Sequence, residues 1–502
     1  MTKEVSEKLE YVNSILKIRQ IYFNACSVIG FDMETICPQK GMSNQGETSA
    51  YLGNESFKLT KDPKFIDAYE YLYKHLDELG EFDQVLIKSL HKDYVKEKNI
   101  TPELDLEWSK AFNQSWVNWL TAKEKDDYSI FAPSLKEVRD ISLKSIELNE
   151  EKKPIPYDNL LDAYESGITA KDLDRYFGEC KERLIPLLKK IKASPKKIRT
   201  DFLSRPVSDE QQRQLANYLL EVIGFDFTRG AITTTEHPFT NGLAKDDVRV
   251  TTHYYPNAFT SSMYSVIHEG GHALFEMYQP EDNFTHYINN LKTMGMHEST
   301  SRFYENRIGR SKEFIHLIYP KCKEIFPNVF YDVSEKEFYE AVNLVEPSLI
   351  RTEADEFTYT FHIIIRYELE KEIVNNGAKI EDLPKMWNDK YEEYLGIRPS
   401  TYKEGILQDV HWASGFGYFP TYALGNMYNA MYYNKMSEEI NIAESLKSGN
   451  IQNINNWMIE HVWKKADRLE PKGWIKDITG RDFTPKDFLD YLEAKYSELY
   501  EF

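Results

Sequence analysis

Residues 268–272 read His268-Glu269-Gly270-Gly271-His272, with Tyr264, Val266, Ile267, Ala273, Leu274, Phe275 and Met277 around them. An apolar stretch broken by polar residues four apart predicts a buried helix. On a helix, positions i and i+4 share a face, so His268 and His272 can grip one zinc ion. Glu269 is turned by about 100° from His268 at 3.6 residues per turn. It then stands beside the ion, where it can take a proton from water. A core helix with two hydrogen-bonded histidines is the plain alternative. The paired glycines argue against it, because each costs a helix about 1 kcal/mol relative to Ala. Glycine is expected where another backbone or a substrate must come close.

A catalytic zinc site needs a third protein ligand and an open position. Glu298, in His297-Glu298-Ser299, follows at a distance that allows the first helix to end and a second to return. His286 and His297 are the other candidates. A third histidine in the H-E-x-x-H-x-x-G-x-x-H pattern is excluded, because Phe275 and Tyr278 occupy the positions of its Gly and His. Of the 12 histidines only His75 and His91 precede His237, which puts the imidazole chemistry in the second half of the chain.

The remainder reads mostly as helix. Leu9, Val12 and Leu16 mark an amphipathic first helix, and Ser208 to Ile223 and Pro485 to Tyr500 show the same period. Thr101-Pro102-Glu103 looks like a helix start. Gly230–Thr235 and Asp247–Tyr254 are β-branched or alternating, which predicts a small antiparallel sheet. The basic run Lys189 to Arg199 is expected to be a solvated helix end. No linker or repeat stands out, so 1–502 is expected to form one large catalytic unit. A net charge of −19 excludes nucleic acid as the main partner. The four cysteines, Cys26, Cys37, Cys180 and Cys322, show no C-x-x-C spacing, so no disulfide framework is expected. The charged N-terminus and the absence of a long apolar run predict neither a secretory signal nor a membrane span.

Beyond the zinc motif, an ordered series of segments resembles the carboxypeptidase Taq type of metallocarboxypeptidases. It runs through Phe31-Asp32-Met33-Glu34-Thr35-Ile36-Cys37-Pro38, His237-Pro238-Phe239, Asp247-Val248-Arg249-Val250-Thr251, the H-E-G-G-H run and His297-Glu298-Ser299. It ends with Ile350-Arg351-Thr352-Glu353-Ala354-Asp355 and Gly405-Ile406-Leu407-Gln408-Asp409-Val410-His411-Trp412. Phe31, Cys37, His253 and Thr300 depart from the family pattern. None of these is a proposed metal ligand or Glu269. The resemblance implies a mainly α, gluzincin-like zinc-peptidase fold, with a deep groove between two helical halves and the zinc helix on its floor. It also implies a cytoplasmic homodimer.

The expected activity is hydrolysis of the C-terminal peptide bond of oligopeptides. One zinc per subunit would sit on His268, His272 and Glu298, with cobalt or manganese as possible substitutes. Glu269 is the expected general base. His411 and Tyr422 are expected to support the developing oxyanion, with Tyr418 in reserve at the substrate. An Arg fork suits a terminal carboxylate: Arg351 is the first choice and Arg249 the second. Asp355 and Asp247 are the acids that could instead tie up these arginines. Asp355, Asp409 and Glu305 are candidate partners for the zinc histidines. A zinc endo-oligopeptidase, or a non-catalytic peptide-binding protein, would share much of this pattern.

Overall fold

A computed structural model describes residues 1–502, apart from the side chain of Pro102. The helices that build or brace the groove are α1 (Lys3–Thr35), α2 (Pro156–Leu161), α3 (Asp209–Ile223), α4 (Phe259–Met277), α5 (Met294–Arg302), α6 (Tyr359–Val374) and α7 (Pro420–Glu439). Further helices fill the spaces between them. Local chemistry explains several boundaries. Ser208 caps α3, and Gln211 returns the bond to complete a capping box. Gly224 then ends α3 in the left-handed conformation. Thr101 caps the helix Pro102–Lys125, as its sequence predicts. After Ala193 the basic run becomes an irregular surface segment, in which Lys196 meets Glu340 and Arg199 meets Asp201 and Asp332.

The strands are β1 (Gly230–Thr234), β2 (Thr240–Ala244) and β3 (Asp247–Thr252), in the order β1-β3-β2. The sheet is mixed, not purely antiparallel as expected. β2 and β3 form a tight hairpin, whereas β1 runs parallel to β3. The alternation in β3 correctly signals one buried face but carries no information about neighbour order. Because β3 inserts between β1 and β2, those two strands do not pair although they are successive in sequence. Val248, Val250 and Thr252 are buried, as the alternation predicts.

Two hydrophobic cores are present among the described residues. The larger runs from Trp119 to Tyr500 and contains α3 to α7. The smaller one joins Val5, Leu9 and Val12 of α1 to Phe65, Leu72, Leu86 and Ile87, with Ile288 contributed from beyond the zinc-motif helix. No helix among the described residues is long and apolar enough to cross a membrane. All four cysteines are free thiols.

Candidate metal centre and hydrolytic site

Helix α4 carries the H-E-G-G-H run on a buried stem, and its glycines sit at contacts. A Cβ on Gly271 would lie 2.8 Å from Ser301 Cα and 3.0 Å from Thr300 O, on the backbone of α5. A Cβ on Gly270 would press on Leu220 and Ile223 of α3. Gly425 of α7 packs on α5 from the other side, with its Cβ position 3.0 Å from Glu298 Cγ. Gly425 is thus a close helix crossing. These glycines let α4, α5 and α7 approach until Glu298 meets the two histidines.

That meeting is tight. Glu298 Oε2 lies 3.4 Å from His272 Nε2 and 3.7 Å from His268 Nε2, and ligand atoms of the three residues all fall within 4.8 Å of one another. Atoms about 2.1 Å from a tetrahedral ion are about 3.4 Å apart. Two imidazoles and one carboxylate therefore fit a zinc-type donor set. Burial pushes the Glu298 carboxyl up, but Arg302 and His268 outweigh it and hold the group ionised well below its usual range. Glu298 Oε1 accepts a bond from Arg302 Nε at 2.7 Å, which turns the carboxylate.

The other imidazole nitrogens are also held. His268 Nδ1 is 2.9 Å from Glu305 Oε2. Glu305 lies in a π-helical turn, Phe303–Ile308, that continues α5, a form frequent at functional sites. Burial pulls His268 down, yet Glu298 and Glu305 prevail and raise it. His272 Nδ1 contacts His297 Nδ1, and His297 Nε2 lies 2.7 Å from Glu276 Oε1. Burial and the neighbouring His272 push His297 down to about 4, so it is neutral. A neutral His297 that donates to Glu276 can accept from His272 Nδ1–H, which leaves the His272 Nε2 lone pair aimed at Glu298. Of the alternative ligands, His297 thus supports His272 from behind. His286 is remote, stacked on Phe82.

Glu269 is buried, and its Oε2 accepts a bond from Thr240 Oγ1 of β2 at 2.7 Å. A cleft of about 670 Å³ opens over the helix, lined by His268, Glu269, Arg302, Arg351, Glu353 and Tyr359 among others. Arg351 is buried there. Its Nε and Nη2 donate to Asp409 Oδ1 at 3.0 and 2.8 Å, and its Nη1 donates to Tyr359 OH at 3.0 Å. A guanidinium has five N–H donors, so one on each terminal nitrogen stays free. Its acidic partner is Asp409 rather than Asp355, whose carboxylate is occupied by backbone N–H groups of Glu346, Phe357 and Thr358. Arg249 is outside this cleft lining. It pairs with Asp247 at 2.9 Å and lies over the Phe31 ring.

His411, Tyr418 and Tyr422 form a cluster of their own. His411 Nε2 lies 3.2 Å from Tyr422 OH, and the two phenol rings are 5.3 Å apart. Burial lowers His411 to about 4 against the pull of Asp409. Burial, with the Glu298 charge adding to it, raises Tyr418 to about 12; Tyr422 stands well above its usual value for the same two reasons, with Tyr418 also contributing. All three groups are therefore neutral near pH 7 and can donate hydrogen bonds.

Comparison with known proteins gives the family. Residues 11–496 match the family model described as carboxypeptidase Taq (M32) metallopeptidase. The chain belongs to the M32 family of metallocarboxypeptidases. It is 40% identical to Carboxypeptidase 1 of Bacillus subtilis over 97% of both chains. It is 36% identical to Thermostable carboxypeptidase 1 of Thermus thermophilus, over 94% of this chain and 95% of that protein. The M32 carboxypeptidase of Deinococcus radiodurans superposes with a TM-score of 0.94 at 30% identity, covering 100% of both chains. The protein is thus a metal-dependent peptide hydrolase whose substrate is a peptide.

Several supporting residues were not singled out from sequence. Arg302 stands four residues after Glu298 on one helix face, a spacing that could have marked it. Thr240, Glu276 and Tyr359 reach the site from separate elements and carry no local signal.

Proposed function

We propose that this M32 enzyme is a zinc carboxypeptidase that releases single residues from the C-termini of oligopeptides. The convergence of His268, His272 and Glu298, next to a cleft lined by His268, Glu269 and Arg351, carries the reading. A zinc ion held by these three residues would supply a Lewis acid for the scissile carbonyl and for water. Glu269, oriented by Thr240, takes the proton from the attacking water and returns it to the leaving amine. His411, Tyr418 and Tyr422 donate to the oxygen on which charge develops. Arg351 receives the substrate carboxylate on its two free N–H groups. Arg249 is second choice as this anchor, since it lies outside the cleft lining that includes Arg351.

The same reading treats 1–502 as one catalytic unit of two helical halves around a groove. It acts as a cytoplasmic homodimer, the form that the family resemblance implies. Sedimentation that returns only a monomer would remove the dimer from this reading. The decisive experiment on the reaction compares one peptide as free acid and as C-terminal amide. Loss of cleavage of the amide is expected. Undiminished cleavage of the amide would favour an endo-oligopeptidase.

A further inference from the structure

Two carboxylates outside the metal centre are fully buried, and no cation forms an ion pair with either among the described residues. Glu165 Oε2 accepts from Gly295 N at 2.9 Å, and its Oε1 accepts from Tyr428 OH at 2.8 Å and Thr293 Oγ1 at 3.1 Å. Glu370 Oε1 accepts from Trp412 Nε1 at 2.9 Å, and its Oε2 accepts from Tyr157 OH at 2.7 Å and Gly417 N at 3.0 Å. Burial pushes both carboxyls up to about 7 despite these donors. For stability alone, a well-packed apolar group would serve as well or better. What each carboxylate achieves is to fix donors from separate elements at one point.

Both points meet α2 and the turns that follow it. At one end, Tyr164 O accepts from Met294 N at 3.2 Å, Glu165 takes Gly295 N, and the capping Thr293 takes Met296 N. The first turn of α5 is therefore held by this segment, one turn before Glu298. Tyr428 adds α7, whose Gly425 packs on Glu298. Nor is there slack, since a Cβ on Gly295 would lie 2.6 Å from Glu165 Oε2. At the other end, Tyr157 and Glu370 pin Gly417, which has φ of 100° and whose Cβ position lies 2.8 Å from Leu160 C. The Tyr164 ring also meets the Tyr418 ring edge-on at 5.1 Å.

We propose that Glu165 and Glu370 are separate positioning residues of the hydrolytic site. Glu165 sets where Glu298 stands relative to His268 and His272, and Glu370 sets His411, Tyr418 and Tyr422. The proposal rests on the zinc-peptidase reading above. Two measurements on the full chain separate the roles: zinc affinity by chelator competition, and kcat and KM of the zinc-saturated enzyme. Glu165→Ala is expected to weaken zinc about tenfold or more. Glu370→Ala is expected to keep zinc affinity within about twofold while kcat falls about tenfold or more, with KM little changed. Glu165→Gln keeps the shape, and its amide N–H groups can turn to the Tyr428 and Thr293 hydroxyls, so it should restore most of the zinc loss. Unchanged zinc affinity in Glu165→Ala, or equal zinc losses in both alanine variants, would overturn the proposal. If an alanine variant does not fold, Tyr428→Phe and Trp412→Phe each remove one donor. They carry the same two expectations at about threefold, and parent values in both would overturn it. A parent enzyme that binds no zinc would instead overturn the zinc reading itself, whatever the variants do.

Discussion

Asp409 holds Arg351 along one edge of its guanidinium, leaving the opposite end of the fork toward the cleft. Oδ2 of the same carboxylate takes Arg366, which is wholly buried. Arg351→Met should raise KM for peptides with a free terminal carboxylate, lowering kcat/KM by roughly a hundredfold. Arg249→Met should change it far less. Steady-state kinetics on a peptide acid checks both. Asp409→Asn leaves two buried cations without their shared anion, so it should also cost about 3–5 kcal/mol in urea unfolding.

The His272–His297–Glu276 line predicts a different defect. His297→Ala and Glu276→Gln should each weaken zinc binding about 10- to 100-fold, because each disturbs the proton that keeps His272 Nε2 free for the ion. Chelator competition measures this without any turnover. Parent affinity in both variants would remove the line from the account.

How much of this was legible in the sequence follows from how local each signal is. His268, Glu269 and His272 lie on one turn of helix, so spacing alone placed them. The helix pattern and the strand alternation were also readable, being short-range consequences of period. Glu298 needed a second helix to return, which spacing permitted but could not orient. Neighbour order in the sheet, the bond from Thr240 to Glu269 and the pairing of Arg351 with Asp409 depend on elements far apart in sequence. At Gly425 the residue type alone does not say whether glycine's freedom or its smallness is being used.

Gly271 tests smallness directly. Gly271→Ala pushes a methyl into the α5 backbone and should destabilise by about 1–3 kcal/mol, with weaker zinc binding as Glu298 shifts. Gly473, in the helix Pro471–Thr479, has open space at its Cβ position. Gly473→Ala should stabilise by up to about 1 kcal/mol. Thermal melts of the two variants provide the comparison.

Glu370 predicts a pH dependence. Its carboxyl is raised from an ordinary 4.5 to about 7 in the folded state. Between these values the folded protein binds the proton more tightly than the unfolded chain does. The contribution is therefore full below pH 4.5 and is lost as pH rises through 7. A shift of this size corresponds to about 3 kcal/mol. Glu370→Gln cannot titrate, so its stability relative to the parent should improve from pH 5 to pH 8 by up to that amount. Urea unfolding at the two pH values gives the difference, and a pH-independent difference would contradict it.

Glu269 is the proposed proton carrier beside a metal held by His268, His272 and Glu298. The most direct measurement is single-residue release from a peptide by Glu269→Gln, with the metal content of the same sample determined. One zinc per chain together with a loss of about 100- to 10,000-fold in kcat is the predicted result. Hydrolysis at the parent rate by the zinc-loaded variant would contradict the account.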